Sequence, residues 1–139
     1  MSNTIPARLI KRYRDVSLIL RGTDGVLTPT TVEIRIELTA QDEDDLLPPE
    51  DLEALDIAIN MIRGTLVLSR DDPDRESLLD HLEEVIHPLI IEIGTLPGLA
   101  EHVQTHADRL IRGLSGGSIS CRTVTLTSPW IEITHSVHE

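Results

Sequence analysis

Polar and apolar residues along this chain follow two different periods. In TVEIRIEL (31–38), Val32, Ile34, Ile36 and Leu38 point one way and Glu33, Arg35 and Glu37 the other. That alternation predicts a strand with one wet face. VSLIL (16–20) alternates in the same way, and the GTDG that follows is a turn signal, so the two segments predict an antiparallel hairpin. The period then changes. Leu52, Leu55, Ile59 and Ile62 form a helical stripe, opened by Pro49 with Glu50 and Asp51 and stopped by Gly64. TLVLS (65–69) fits a short strand or more helix equally. Asp72 and Pro73 open a second helix with the stripe Leu78, Leu79, Leu82, Val85, Ile86, which Pro88 ends or kinks. Thr95 caps a third, with the stripe Leu99, Val103, Leu110, Leu114. After SGG (115–117), SISCRTVTLT (118–127) reads as a strand whose apolar parity slips between Cys121 and Val124, which predicts a bulge. Ser128 and Pro129 turn it into WIEITHSV (130–137).

The expected fold class is therefore α+β: a four-stranded antiparallel sheet, ordered hairpin–helices–hairpin, with two or three helices on one face. Residues 1–14 are expected to be a short basic arm and residues 15–139 a single domain.

Composition narrows the function. The core must be aliphatic, because there is no Phe and the only aromatics are Tyr13 and Trp130. No apolar run is long enough for a membrane helix, and no signal-peptide pattern opens the chain, so a cytoplasmic location is expected. Cys121 is the sole cysteine, which excludes an internal disulfide and a multi-cysteine metal cluster. The net charge is −12 and uneven. Residues 1–21 carry Arg8, Lys11, Arg12, Arg14 and Arg21 against Asp15, so this end is +4 and the remainder −16. Such a surface repels phosphate backbones, and few aromatics are present to stack bases, so nucleic acid is not an expected partner. A basic protein partner fits the charge better. The acidic run 42–45 lacks the spaced oxygen ligands and glycine of a calcium loop and reads as solvated.

The order of elements, with the motifs RIELTA (35–40), LPPEDLEAL (47–55), LLDH (78–81), PGLAEHVQTHADRL (97–110) and VTLTSPWIEI (124–133), resembles the tunnelling fold. It is most similar to the 6-pyruvoyl- and 6-carboxy-tetrahydropterin synthases; the dihydroneopterin aldolases share the order. The resemblance implies sheets joined side by side into a homo-oligomeric ring, with ligand sites between subunits and a pterin or purine-like small molecule as substrate class. It also implies a zinc held by three histidines, two of them a His-x-His on the second strand. Counting back from RIELTA, that pair falls on Thr30 and Val32, and no histidine precedes His81. The family's catalytic cysteine has no counterpart, and its ring-anchoring glutamate corresponds to Thr127. Only Asp80 and His81 match its proton-relay pair. No cofactor is expected.

Two further candidates come from the residues themselves. His102 and His106, four apart in HVQTH, lie on one side of a helix where a metal can bridge them. At about 100° per residue they flank the apolar stripe, and the residues between are not those of His-Glu-x-x-His, so boundary histidines are the commoner reading. Trp130 is a lid or interface candidate. The leading expectation is a non-catalytic, enzyme-derived binding or scaffold protein that acts through an acidic surface and oligomeric assembly. The alternatives are a tetrahydropterin synthase-like enzyme with Asp80 and His81 as acid–base pair, and an acidic nucleic-acid-mimic inhibitor.

Overall fold

The structure, a computed structural model, describes residues 8–21, 24–41, 49–82 and 84–137. The acidic run 42–45 lies outside them. The elements run β1 (Arg8–Leu20), β2 (Thr28–Ala40), α1 (Pro49–Asn60), β3 (Thr65–Ser69), α2 (Arg75–Leu82), β4 (His87–Ile91), α3 (Leu96–Ser115), β5 (Ile119–Thr127) and β6 (Glu132–Ser136). The fold is α+β. Its sheet has six strands in the order β4-β3-β1-β2-β5-β6, not four. It is also mixed: β3 and β4 run parallel to each other and to β1, while β1-β2, β2-β5 and β5-β6 are antiparallel.

The two additional strands escaped the sequence for different reasons. Residues 65–68 of β3 are all buried, and a continuous apolar run carries no period. In β4, Pro88 imitates a helix breaker, yet β4 is an edge strand, where a missing N–H is tolerated. Of the segment 1–14 expected as an arm, residues 8–14 form the first half of β1, and residues 1–7 lie outside the described residues. A bulge shifts the register between Tyr13 and Val16, with Asp15 at φ 54°. Tyr13 and Val16 are both buried although they differ in parity, which hides one long strand as two fragments. The bulge expected in β5 is present: Leu38 pairs Cys121, and the next residue back, Glu37, pairs Thr123.

The core lies between one sheet face and the helices α1 and α3. Strand β2 contributes Val32, Ile34, Ile36, Leu38 and Ala40, and α1 contributes Leu55 and Ile59. Helix α3 buries Leu99, Ala100, Val103, Gln104, Ala107 and Ile111. This stripe lies nearer Ile111 than expected: Leu114 is 41% exposed. The side chain of Thr95 caps α3 by accepting from the Gly98 N–H at 3.2 Å, and Gly116 closes it at φ 66°. A Cβ at residue 98 would collide with the Ile93 carbonyl, so glycine is what lets this first turn settle against the chain entering it. Both main-chain polar groups of Cys121 are satisfied from α3. Gln104 Nε2 donates to its carbonyl at 2.8 Å, and its N–H donates to Asp108 Oδ1 at 2.9 Å.

Candidate functional site

A hollow of about 910 Å³ opens at one end of the sheet. Leu20 ends β1, Thr28, Thr30 and Thr31 begin β2, Thr95 and Leu96 open α3, and Ser128 to Ile131 form the β5–β6 turn; all of them line it. The turn is built by Ser128, whose N–H donates to the Ile131 carbonyl at 2.8 Å while its hydroxyl accepts from the Ile131 N–H at 3.2 Å. That geometry holds Trp130 out at 89% exposed. Among the described residues the lining is hydroxyl and hydrocarbon, with Asp24 as its one ionisable side chain. Such a wall offers a face for stacking and several weak hydrogen-bonding groups, and no cation to neutralise a phosphate.

Thr127 lies just across the turn. It is exposed and lines a smaller hollow with Arg14, Asp15, Thr31, Val32, Glu33, Ser128 and Pro129. Three of those residues, Thr31, Ser128 and Pro129, also line the large hollow. Thr127 and Trp130 therefore sit on adjoining sides of one turn. The threonines at 28, 30, 31 and 95 were not singled out from sequence as ligand contacts; the hydroxyl-rich TPTT (28–31) at the start of a strand was the available signal.

The residues that correspond to the zinc pair do not fit a zinc ion. Val32 is 1% exposed in the core, and Thr30 supplies one neutral hydroxyl where the ion takes nitrogen, thiolate or carboxylate. Among the described residues no group of three or more His, Cys, Asp or Glu converges.

Asp80 and His81 lie elsewhere. Both are exposed on α2, and His81 Nδ1 contacts the Ser77 carbonyl of its own helix at 2.7 Å. Neither lines the sheet-end hollow. Cys121 is fully buried beneath α3; burial, and then the Asp108 carboxylate, push its thiol up to about 12. A thiol so held stays protonated and is a poor nucleophile.

The histidine pair does come together. The rings of His102 and His106 lie 4.2 Å apart, centroid to centroid, at an interplanar angle of 44°. They line two hollows, one between α1 and α3 and one between the β4 end and α3. Burial, and then the neighbouring His106, hold the His102 imidazole down at about 4.

The sheet face turned away from the helices is polar, with cross-strand rows of charge and hydroxyl. Glu37 accepts from Arg35 at 2.8 Å and Arg8 at 3.1 Å, and the Arg35 bond first of all lowers its pKa. Beside them Thr125 and Thr134 share a hydrogen bond of 3.1 Å, and Thr123 and Ser136 one of 3.2 Å. No helix of the described residues is long and apolar enough to cross a membrane.

No family model matches the sequence, and no curated protein matches it. Solved structures do match in fold. An uncharacterized protein from Wolinella succinogenes superposes with a TM-score of 0.73 at 10% identity, over 97% of this chain and 100% of that one. A 6-pyruvoyltetrahydropterin synthase of Plasmodium vivax, a catalytic-residue mutant, gives 0.62 at 11% identity over 96% and 99%. The Plasmodium falciparum enzyme of the same name gives 0.55 at 7% identity over 95% and 99%. The chain thus has the tunnelling fold of the 6-pyruvoyltetrahydropterin synthases.

Proposed function

We propose that this chain is a non-catalytic binding or scaffold protein on a synthase-like fold, acting as a homo-oligomer through its acidic surface. One observation carries the reading. The sheet end where the resembled enzymes hold zinc offers Thr30, Val32 and hydroxyl and hydrocarbon neighbours, with Asp24 as the sole carboxylate among the described lining residues, which falls short of a metal's ligand set. The shape of a ligand hollow persists there without the chemistry. A planar, uncharged heterocycle of the pterin or purine kind suits the exposed face of Trp130 and the ring of threonine hydroxyls. Asp80 and His81 lend the enzyme alternative little support, because adjacent helix positions diverge and His81 is turned to its own backbone.

Assembly is supported by the sheet edges. Strand β3 pairs with β1 only at Ile19 and Leu20, which leaves Arg8–Tyr13 of β1 without a strand on that side among the described residues. Strand β6, also an edge, is of similar length at five residues. Exposed edges of six and five residues favour strand addition between copies, which would cover their free N–H and C=O groups. The chain's net charge of −12 then suits a basic protein partner, in which complementarity adds on-rate and specificity.

The test combines two measurements on the full chain. Light scattering is expected to give a multiple of 15.4 kDa. Neopterin or guanine is expected to quench Trp130 emission, with the compound recovered unchanged after long incubation. Turnover of a reduced pterin would sink the non-catalytic reading, and a monomer at all concentrations would sink the assembly.

A further inference from the structure

We infer that His102 and His106 form an open, two-imidazole site for a divalent transition-metal ion on the flank of α3. The site lies outside the sheet-end hollow and does not depend on the reading given to that hollow.

Three observations carry it. The first is convergence. Residues four apart on a helix share a face, and here the rings abut with centroids 4.2 Å apart. Nitrogens bound to one such ion at about 2.0–2.1 Å each lie only about 3 Å from one another, a gap that rotation about side-chain bonds closes.

The second is the absence of other partners. Neither imidazole makes a hydrogen bond to any described residue, whereas His81 is occupied by the Ser77 carbonyl. His102 is half-buried, yet its ring nitrogens are not among the buried polar atoms that lack a partner, so they stay open to a ligand. A histidine kept only for packing at a boundary commonly finds a carbonyl or hydroxyl. A bound cation supplies the missing partner for both rings at once.

The third is access. The pair walls a shallow hollow of about 310 Å³ with Thr105 and the carboxylates Glu92 and Glu101. Glu92 is engaged with Arg70 at 3.1 Å, and no third ligand converges among the described residues. The chain therefore supplies two nitrogens, and water or an incoming donor fills the other positions. Imidazole ligation selects borderline cations such as Cu²⁺, Ni²⁺ and Zn²⁺ over Mg²⁺ or Ca²⁺.

Cu²⁺ titrated into the chelator-stripped full chain, followed by electron paramagnetic resonance, tests the inference. The expected spectrum has splitting from two equivalent nitrogens at one equivalent of copper. His102→Gln or His106→Gln is expected to weaken binding at least tenfold, and the double variant to lose the two-nitrogen signal, with His87→Gln unchanged. The same two-nitrogen signal and affinity in the double variant, or their loss in His87→Gln, would overturn the proposal. A second measurement keeps the native chain: Zn²⁺ added to ¹⁵N-labelled protein is expected to move the amides of residues 102–106 before all others. First shifts around His87 or His135 instead would count equally against it.

Discussion

Helices α2 and α3 look alike in sequence and behave differently in the fold. Both carry leucines at helical spacing and a threonine or aspartate at the entrance. Helix α3 buries six residues, is capped at both ends, and pins Cys121 of β5 through Gln104 and Asp108. Helix α2 buries none: Leu78, Leu79 and Leu82 are half-covered, and Val85, beyond its end, is 83% exposed. An apolar stripe predicts that a helix forms; it does not say how firmly the helix is held. That depends on what faces the stripe. Helix α3 packs against β5 and β6 and also meets α1 and β4, whereas α2 only connects the two outermost strands at the β4 edge. The contrast bears on function. Asp80 and His81 ride on the loosely held element, while chemistry needs groups fixed to rigid ones. His102 and His106 ride on the firmly held one.

The comparison can be broken most severely inside α3. Ile111→Ala, at 0% exposure, is expected to cost about 2–5 kcal/mol in denaturant unfolding, by lost transfer energy and the cavity left behind. Asp108→Ala removes the acceptor of the Cys121 N–H and is expected to cost about 1–3 kcal/mol; a neutral result would mean that α3 is not clasped to β5 as described.

The alkaline limb gives a third test. Burial raises the Cys121 thiol from 9.0 to about 12, and burial with the Asp56 hydrogen bond raises the Tyr13 phenol above its usual value. Both groups therefore lose their protons first in the unfolded chain. Stability is expected to be flat up to about pH 9 and to fall above it, with the fall shallower in Cys121→Ala. Melting temperatures measured from pH 7 to 11 check the sign. Thr95→Ala is expected to cost ~1 kcal/mol through the lost cap. Leu79→Ala, the matching change in α2, is expected to cost less than Ile111→Ala, about 1–2 kcal/mol, since its side chain keeps part of its surface in water. Hydrogen exchange sharpens the same point: α2 amides are expected to exchange well before those of α3.

What could be read from the residues alone was whatever repeats locally. The alternation of β2, the α1 stripe, the Thr95 cap and the parity slip in β5 each follow from neighbours within a few positions. The same reading found that histidine is missing where the resembled enzymes place their metal. It could not find β4, because Pro88 breaks a helix and an edge strand tolerates it, and the local residues do not say which edge they will join. Nor could it join Arg8–Tyr13 to the rest of β1, since the bulge reverses which side chains face inward. The hollow beneath Trp130 draws on segments from Leu20 to Ile133, and the abutting histidine rings face a cleft that α1 and β4 complete. Periodicity is a short-range property fixed by backbone geometry. Convergence of distant side chains is set by strand order and helix packing, and only the assembled chain decides it.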